Sequence, residues 1–215
     1  MSIQSLAASL YTVPNTITRL CKKLGYDGYS HLKNSLKEEL HTELKEQDMV
    51  ENSLYTTVQK TFDLMDMDKI KLVTRLLREA KNILFFGVGD SVIFCEMMVK
   101  NLKVAGKQSD YSIHPHEIRH GINRLKSGDI LFLISLSGET PQVLEMAELG
   151  KMKSICVISL THFYRNSLQK LADVNLYCHA PKKLLNGYNV TDKTSPMIVL
   201  RTLSEYFWKE TCGCV

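Results

Sequence analysis

From Asn82 onward the chain alternates between two textures, and that alternation limits its fold more than any other feature. Runs such as "ILFF", "ILFLI" and "ICVISL" are apolar throughout, and stretches of helical length separate them. A strand with one wet face alternates apolar and polar residues, whereas a continuously apolar strand is covered on both faces. Such strands alternating with helices give a parallel sheet between two helical layers. Five strands fit between residues 82 and 178, in "ILFFGVGDS", "KQSDYSI", "DILFLISLSGET", "SICVISLTH" and "VNLYC". The helices between them run to Ala105, from near His116 to Leu125, to Lys151, and from Asn166 to Lys170. A last helix starts near Ser195, with Ser195 and Pro196 as N-cap and first-turn pair. The expected fold class is α/β: a parallel five-stranded sheet with helices on both faces, preceded by a small all-helical segment.

That front segment has its own pattern. In "SIQSLAASL", Ile3, Leu6, Ala7 and Leu10 share one helical face, with Ser2 placed to cap it. In "PNTITRLCKKLGYDG", Ile17, Leu20, Cys21 and Leu24 share another; Pro14 opens the helix and Gly25 stops it. Two short helices with a three-residue break resemble a helix-turn-helix. In that motif the second helix enters the major groove. Asn15, Thr16, Thr18 and Arg19 then face the bases, and Lys22, Lys23 and Lys33 hold phosphates. The alternative is a helical hairpin that merely packs. Charge favours DNA: residues 1–37 carry five basic side chains and one acid, so the whole net charge of +4 lies there and the rest is balanced. A basic segment on a neutral body points to a polyanion; a solvated helix face is the plainer reading of charge alone. Residues 41–60 read as a polar linker, and "TTVQKTFDLMDMDKIKLVTRLLREAKN" as two amphipathic helices joined near Met67-Asp68.

Two strand ends carry possible chemistry, because ligands of open parallel sheets bind beyond the carboxyl ends of the strands. The first is Gly87-Val88-Gly89-Asp90-Ser91, and the second is Ser135-Leu136-Ser137-Gly138-Glu139-Thr140. Glycines let the backbone approach a ligand, and the following helices aim free N–H groups at the loops. The hydroxyls of Ser135, Ser137 and Thr140 add neutral donors, so a phosphate can be held without a lysine or arginine in either loop. Taken alone, the first loop is ordinary turn chemistry, and Thr140 reads equally as the cap of the next helix. Three hydroxyls and a glycine in six residues exceed what a turn requires.

Other chemistries find little support. A dinucleotide fingerprint fails at Val92, and no P-loop sequence occurs, so no cofactor is expected. The six cysteines, at 21, 95, 156, 178, 212 and 214, form no CxxC pair. Cys212 and Cys214 read as tail thiols in preference to a redox or metal pair, and a reducing, cytoplasmic compartment is expected. His116 and His120 are spaced as metal ligands, but no third ligand follows from spacing, so no metal is expected. No apolar stretch reaches the roughly 18 to 20 residues of a membrane span.

"GVGDS" followed by "SLSGET" resembles the sugar isomerase (SIS) domain, a phosphosugar-binding module. "SIQSLAASLYTVPNTITRLCKKLGYDGYSHLK" resembles the DNA-binding part of the ribose-phosphate-isomerase-regulator family of bacterial transcription factors. The resemblance covers nearly the whole chain, in the family's order. It implies a helix-turn-helix over residues 1–40, a linker and amphipathic helices over 41–80, and a SIS-type αβα sandwich over 81–215. It also implies that Ser91, Ser135, Ser137 and Thr140, with Glu139 beside them, bind a sugar phosphate while Gly87, Gly89 and Gly138 shape the loops. The implied partners are operator DNA and a sugar phosphate effector, in a homodimer or dimer of dimers and with no membrane. The chain departs from the family at its start, which lacks the usual preceding helices and reads as shortened. It departs also at Val13, where a serine cap is usual, and at Lys182, Lys183 and Ser195-Pro196. The rival activity is aldose–ketose isomerisation, for which Glu139, His114, His116, Glu117 and His120 are the available bases. A DNA reader on an isomerase is incongruous, so no catalytic residue is assigned.

Overall fold

The apolar runs become strands because both of their faces are covered. In the computed structural model, which describes residues 2–44 and 53–213, they form β1 (Ile83–Gly87), β2 (Ser109–Tyr111), β3 (Ile130–Ile134), β4 (Cys156–His162) and β5 (Val174–Cys178). All pair in parallel, in the order β2-β1-β3-β4-β5. β3 shows why its sequence has no polar alternation. Ile130, Phe132 and Ile134 enter one core, and Leu131 and Leu133 enter the other, as side chains alternate across a sheet. Each such side chain contributes roughly 1.5–3 kcal/mol when fully buried.

The helices are α1 (Ile3–Ser9), α2 (Pro14–Lys23), α3 (Tyr29–Leu44), α4 (Ser53–Leu64), α5 (Met67–Glu79), α6 (Val92–Val104), α7 (Pro115–Arg124), α8 (Pro141–Met152), α9 (Ser167–Leu171) and α10 (Thr194–Cys212). One core joins the sheet to α5, α6 and α10 through Ile70, Leu77, Phe94, Met98, Leu200 and Phe207. The other joins it to α7, α8 and α9 through Ile118, Ile122, Val143, Met146 and Leu168. The sheet therefore has helices on both faces, as expected. No helix among the described residues is long and apolar enough to cross a membrane.

Three local readings need correction. α4 and α5 are joined at Met65-Asp66, two residues before the expected Met67-Asp68. The Asp66 carboxylate accepts from the N–H groups of Asp68 and Lys69 at 3.0 and 3.2 Å, so it caps α5. Ser195 does not cap α10. The Asp192 carboxylate does, accepting from the N–H groups of Thr194 and Ser195 at 3.2 Å each, which places Ser195 and Pro196 inside the first turn. The third difference is a hairpin between β5 and α10: β6 (Leu184–Leu185) pairs antiparallel with β7 (Tyr188–Asn189). Of the polar linker, residues 45–52 lie outside the described residues, as does Cys214.

The chain divides into two compact units, Met1–Leu54 with Phe163–Arg165, and Tyr55–His162 with Asn166–Val215. In the first, α1 and α2 pack Ala7, Ile17 and Cys21 into a small core, with Leu6, Tyr26 and Leu32 against it. The Ser2 hydroxyl caps α1 by accepting from Ser5 N–H at 3.1 Å. The turn between the helices is poorly suited to its residues. Tyr11, fully exposed, sits at φ 49°, and Val13 occupies the N-cap of α2 without a side-chain bond. A left-handed conformation costs an ordinary residue about 1–2 kcal/mol, and a missing cap about 1 kcal/mol. Tyr11→Gly and Val13→Ser are each expected to stabilise this unit by about 1 kcal/mol, read as roughly fivefold slower hydrogen exchange of the buried α2 amides in the full chain. Unchanged exchange in both would show that neither the backbone nor the cap limits the unit.

Candidate functional site

The two loops singled out in the sequence leave adjacent parallel strands at the same end. Gly87, the last residue of β1, pairs with Ile134, the last of β3. The chain crosses from β1 to β2 on one side and then to β3 on the other, so the loops flank the point where the winding reverses, the usual ligand crevice of such sheets.

The first loop folds tightly. Gly89–Ser91 form a single 3₁₀ turn that runs into α6, and Ser91 is buried. A Cβ on Gly87 would lie 2.8 Å from the Ser91 Cβ and 3.0 Å from the Ile134 carbonyl oxygen, so only glycine lets β1 pass beneath its own loop. Gly89 is at φ 59° with open space around it.

The second loop gathers its hydroxyls. Ser135 Oγ is 2.9 Å from Thr140 Oγ1 and 3.4 Å from Ser137 Oγ, and Ser137 Oγ is 3.5 Å from Thr140 Oγ1. Thr140 is the N-cap residue of α8, but its side chain makes no capping bond and turns to Ser135 instead. The plain capping reading of Thr140 therefore fails for its hydroxyl. The Ser137 hydroxyl accepts from Glu139 N–H at 3.2 Å, and Gly138 N–H donates to the Ser135 carbonyl at 3.0 Å. Glu139 faces elsewhere: its carboxylate accepts from Ser167 N–H at 2.7 Å, at the start of α9. The cluster is a triad of neutral hydroxyls beside a helix amino end that no side chain caps. That is a donor set for a tetrahedral oxyanion.

A cation reaches the first loop from far along the chain. Lys193, just ahead of α10, places Nζ 2.9 Å from an Asp90 carboxylate oxygen and donates to the Thr191 carbonyl at 2.6 Å. No spacing signal pointed to it; the partners are a hundred residues apart and only the fold joins them. The pair is partly exposed, so it holds together weakly in water and can be exchanged for a ligand oxygen.

On the front unit, α2 turns Ile17 and Cys21 inward and leaves Asn15, Thr16, Arg19, Lys22 and Lys23 exposed. Asn15, Arg19 and Lys23 follow each other at four-residue spacing, which lines them along one face. Thr18 is half-buried and its hydroxyl donates to the Pro14 carbonyl at 3.2 Å, so it is committed to its own helix. Lys33 stands on α3, half-buried.

Four of the five bases of the rival reading gather at the start of one helix, and the fifth, Glu139, belongs to the second loop. His114, His116, Glu117 and His120 are exposed at the start of α7, where the His114 and His116 rings stack with centroids 5.5 Å apart. A hydrogen bond from the Ser112 hydroxyl, helped by the nearby histidines, holds the Glu117 carboxyl below the usual carboxylate range, opposite to the upward tuning a general base needs. Among the described residues no group of three or more His, Cys, Asp or Glu could hold a metal ion. Burial pushes the Cys95 thiol up to about 12 and raises Cys178 as well, which keeps both as unreactive thiols.

Known proteins resemble both parts of the chain. Residues 76–204 match the SIS domain model, and residues 1–43 match the helix-turn-helix domain of the rpiR family. The HTH-type transcriptional regulator YbbH of Bacillus subtilis is 27% identical over 217 residues, covering 94% of this chain and 77% of its own. The HTH-type transcriptional regulator RpiR of Escherichia coli K12 is 25% identical over 214 residues, covering 93% and 72%. A solved structure of the Vibrio vulnificus NanR protein, complexed with ManNAc-6P, superposes with a TM-score of 0.69 at 26% identity, covering 99% of this chain and 81% of NanR. With a SIS domain over most of its length and an rpiR-type helix-turn-helix ahead of it, the chain belongs to the RpiR family of SIS-domain transcriptional regulators.

Proposed function

We propose that this protein is a DNA-binding transcriptional regulator whose SIS domain senses a phosphorylated sugar and alters operator binding in response. The observation that carries the reading is the triangle of Ser135, Ser137 and Thr140 hydroxyls at the uncapped amino end of α8. These hydroxyls hold the phosphate, with Ser91 at the neighbouring loop. Gly87, Gly89 and Gly138 keep the backbone close, and Glu139 fixes the loop to α9. Lys193 supplies the positive charge, leaving Asp90 for a ligand oxygen. The NanR complex supports a phosphorylated sugar as the ligand class.

Residues 1–40 form the DNA reader, residues 41–80 connect it, and residues 81–215 bind the effector. Asn15, Thr16 and Arg19 approach base edges, while Lys22, Lys23 and Lys33 contact phosphates. The protein acts in the cytoplasm as a homodimer or dimer of dimers, and it is not an enzyme. Coupling between ligand and DNA sites of this kind is typically about 1–3 kcal/mol.

The test is a thermal-shift panel of sugar phosphates, unphosphorylated sugars and inorganic phosphate, followed by operator binding. A ligand at a hundredfold excess over its Kd adds about 2.7 kcal/mol to the folded state. In a chain of this size that is a rise of roughly 5–10 °C. One phosphorylated sugar is expected to give this rise and to change operator affinity severalfold, and Arg19→Ala is expected to weaken operator binding with or without it. Turnover of an aldose phosphate to a ketose phosphate, lost in Glu139→Gln or His116→Ala, would instead establish an isomerase.

A further inference from the structure

The turn between α1 and α2 is held in shape by its backbone. Tyr11 N–H donates to the Ala8 carbonyl at 3.2 Å, and Thr12 N–H to the Ala7 carbonyl at 2.9 Å. With Tyr11 left-handed, this pair of bonds is a common closing pattern of a helix carboxyl end. Val13 follows in extended conformation, at φ −106° and ψ 150°, and its carbonyl accepts from Thr16 N–H at 2.9 Å. The direction in which Val13 leaves the turn is therefore set on both sides.

Its side chain serves neither helix. Val13 makes no capping bond, lies outside the small core of Ala7, Ile17 and Cys21, and is 60% exposed. Its surroundings identify what can cover it. Val13, Thr16 and Leu20 follow one another at three- and four-residue spacing, so they lie along one line of α2, and all three are exposed. Asn15, Arg19 and Lys23 form a second exposed line beside it. Residues 1–37 carry five basic side chains against one acid. The partner of this face is thus a polyanion that offers an apolar group among polar ones. The major groove of DNA has such a group, the 5-methyl of thymine. A-form RNA lacks that methyl, and its major groove is too narrow for side chains to read. Residues at the amino end of a recognition helix come nearest the base edges, which favours Val13 over Leu20 for the contact.

We propose that Val13 packs on the 5-methyl group of a thymine in the major groove and is a specificity-determining residue of the operator reader. This rests on the DNA reading given under Proposed function. Polar side chains such as Asn15 and Arg19 read hydrogen-bonding edges, which thymine shares with uracil; an apolar contact reads the methyl itself. A serine at this position would cap α2. The valine forgoes that cap and gains a base contact.

Duplexes drawn from a randomised library by the full chain supply the probe. In the tightest of them each thymine is replaced in turn by deoxyuridine, which keeps the pair with adenine and removes only the methyl. One replacement in each recognised half is expected to weaken binding about fourfold, the worth of one buried methyl group. Val13→Ser is expected to bind thymine and uracil alike at that position, even though its α2 amides exchange more slowly than those of the parent chain. Tyr11→Gly alters the same turn without touching Val13 and is expected to keep the fourfold preference. A chain indifferent to every uracil overturns the proposal, as does a preference that survives in Val13→Ser or is lost equally in Tyr11→Gly. Arg19→Ala separates the proposal from the reading beneath it. Duplexes weakened by Arg19→Ala but blind to the methyl leave the DNA reading and remove the role of Val13; a library from which nothing is enriched removes both.

Discussion

Gly138→Ala is expected to lower the melting temperature of the full chain by roughly 10 °C, more than twice the effect of Gly89→Ala. Both glycines have positive φ, 63° and 59°, so alanine at either meets the left-handed penalty of about 1–2 kcal/mol. Their surroundings differ. A Cβ on Gly89 meets nothing within 4 Å, whereas one on Gly138 would lie 2.2 Å from the Asn166 Cγ and Oδ1. Asn166 has little freedom to retreat. Its Oδ1 caps α9 by accepting from Gln169 N–H at 2.9 Å, and its Nδ2 donates to the Thr161 hydroxyl at 3.2 Å. The Gly138 carbonyl accepts from Leu168 N–H at 3.0 Å, which ties the same loop to α9 again. Forcing a methyl group into such packing costs about 1–3 kcal/mol, and losing the cap about 1 kcal/mol more. The measurement is a pair of melting curves. Equal shifts at the two positions would mean that the second loop is not clamped against Asn166.

The architecture was open to reading from the sequence because its main signal is redundant. Ile130 to Ile134 are all buried, alternately in two different cores, and only a strand covered on both faces demands that. α1 and α2 were legible through their helical spacing, Ser2 and Gly25. The errors lie where one chemistry suits neighbouring positions. Serine and proline fit anywhere in a first turn, so Ser195-Pro196 marked the beginning of α10 without identifying Asp192 as its cap. Asp66 and Asp68 both suit a helix amino end, and only the bonds made by Asp66 decide between them. The hairpin has a signal of its own: Asn186-Gly187 between Leu184-Leu185 and Tyr188 is a hairpin turn in sequence as well as in structure.

The candidate site was legible wherever its parts are contiguous. Ser135, Ser137 and Thr140 lie within six residues, so loop chemistry alone pointed to them. The orientation of Glu139 was not legible, because the amide it accepts from belongs to Ser167. Lys193 was invisible for the same reason. Its carboxylate partner, Asp90, follows β1, and the lysine precedes α10. Neither loop contains a basic residue, so the sequence suggests a phosphate held by neutral donors alone; the fold adds a cation at the first loop, on Asp90. The distinction matters for selectivity. Hydroxyls and amides accommodate any tetrahedral oxyanion, whereas a lysine shared with an aspartate can respond to what the rest of the ligand offers.

If the triangle of hydroxyls holds the phosphate, Ser135→Ala is expected to weaken the phosphorylated sugar roughly a hundredfold while leaving the unliganded melting temperature nearly unchanged. Ser135 is the buried member of the three and the closest to Thr140. Alanine keeps its Cβ, so the packing survives. The ligand, however, loses a hydrogen bond to a charged group, worth about 1.5–3 kcal/mol, and Thr140 loses the neighbour that turns its hydroxyl away from capping α8. Thr140→Ser keeps the hydroxyl and is expected to bind almost as the parent chain does. Titration of both variants with the effective sugar phosphate and with inorganic phosphate reads the difference. A loss shared by the two ligands places Ser135 at the phosphate. A loss confined to the sugar phosphate would move Ser135 to the sugar, and leave Ser137, Lys193 and the amino end of α8 to carry the charge.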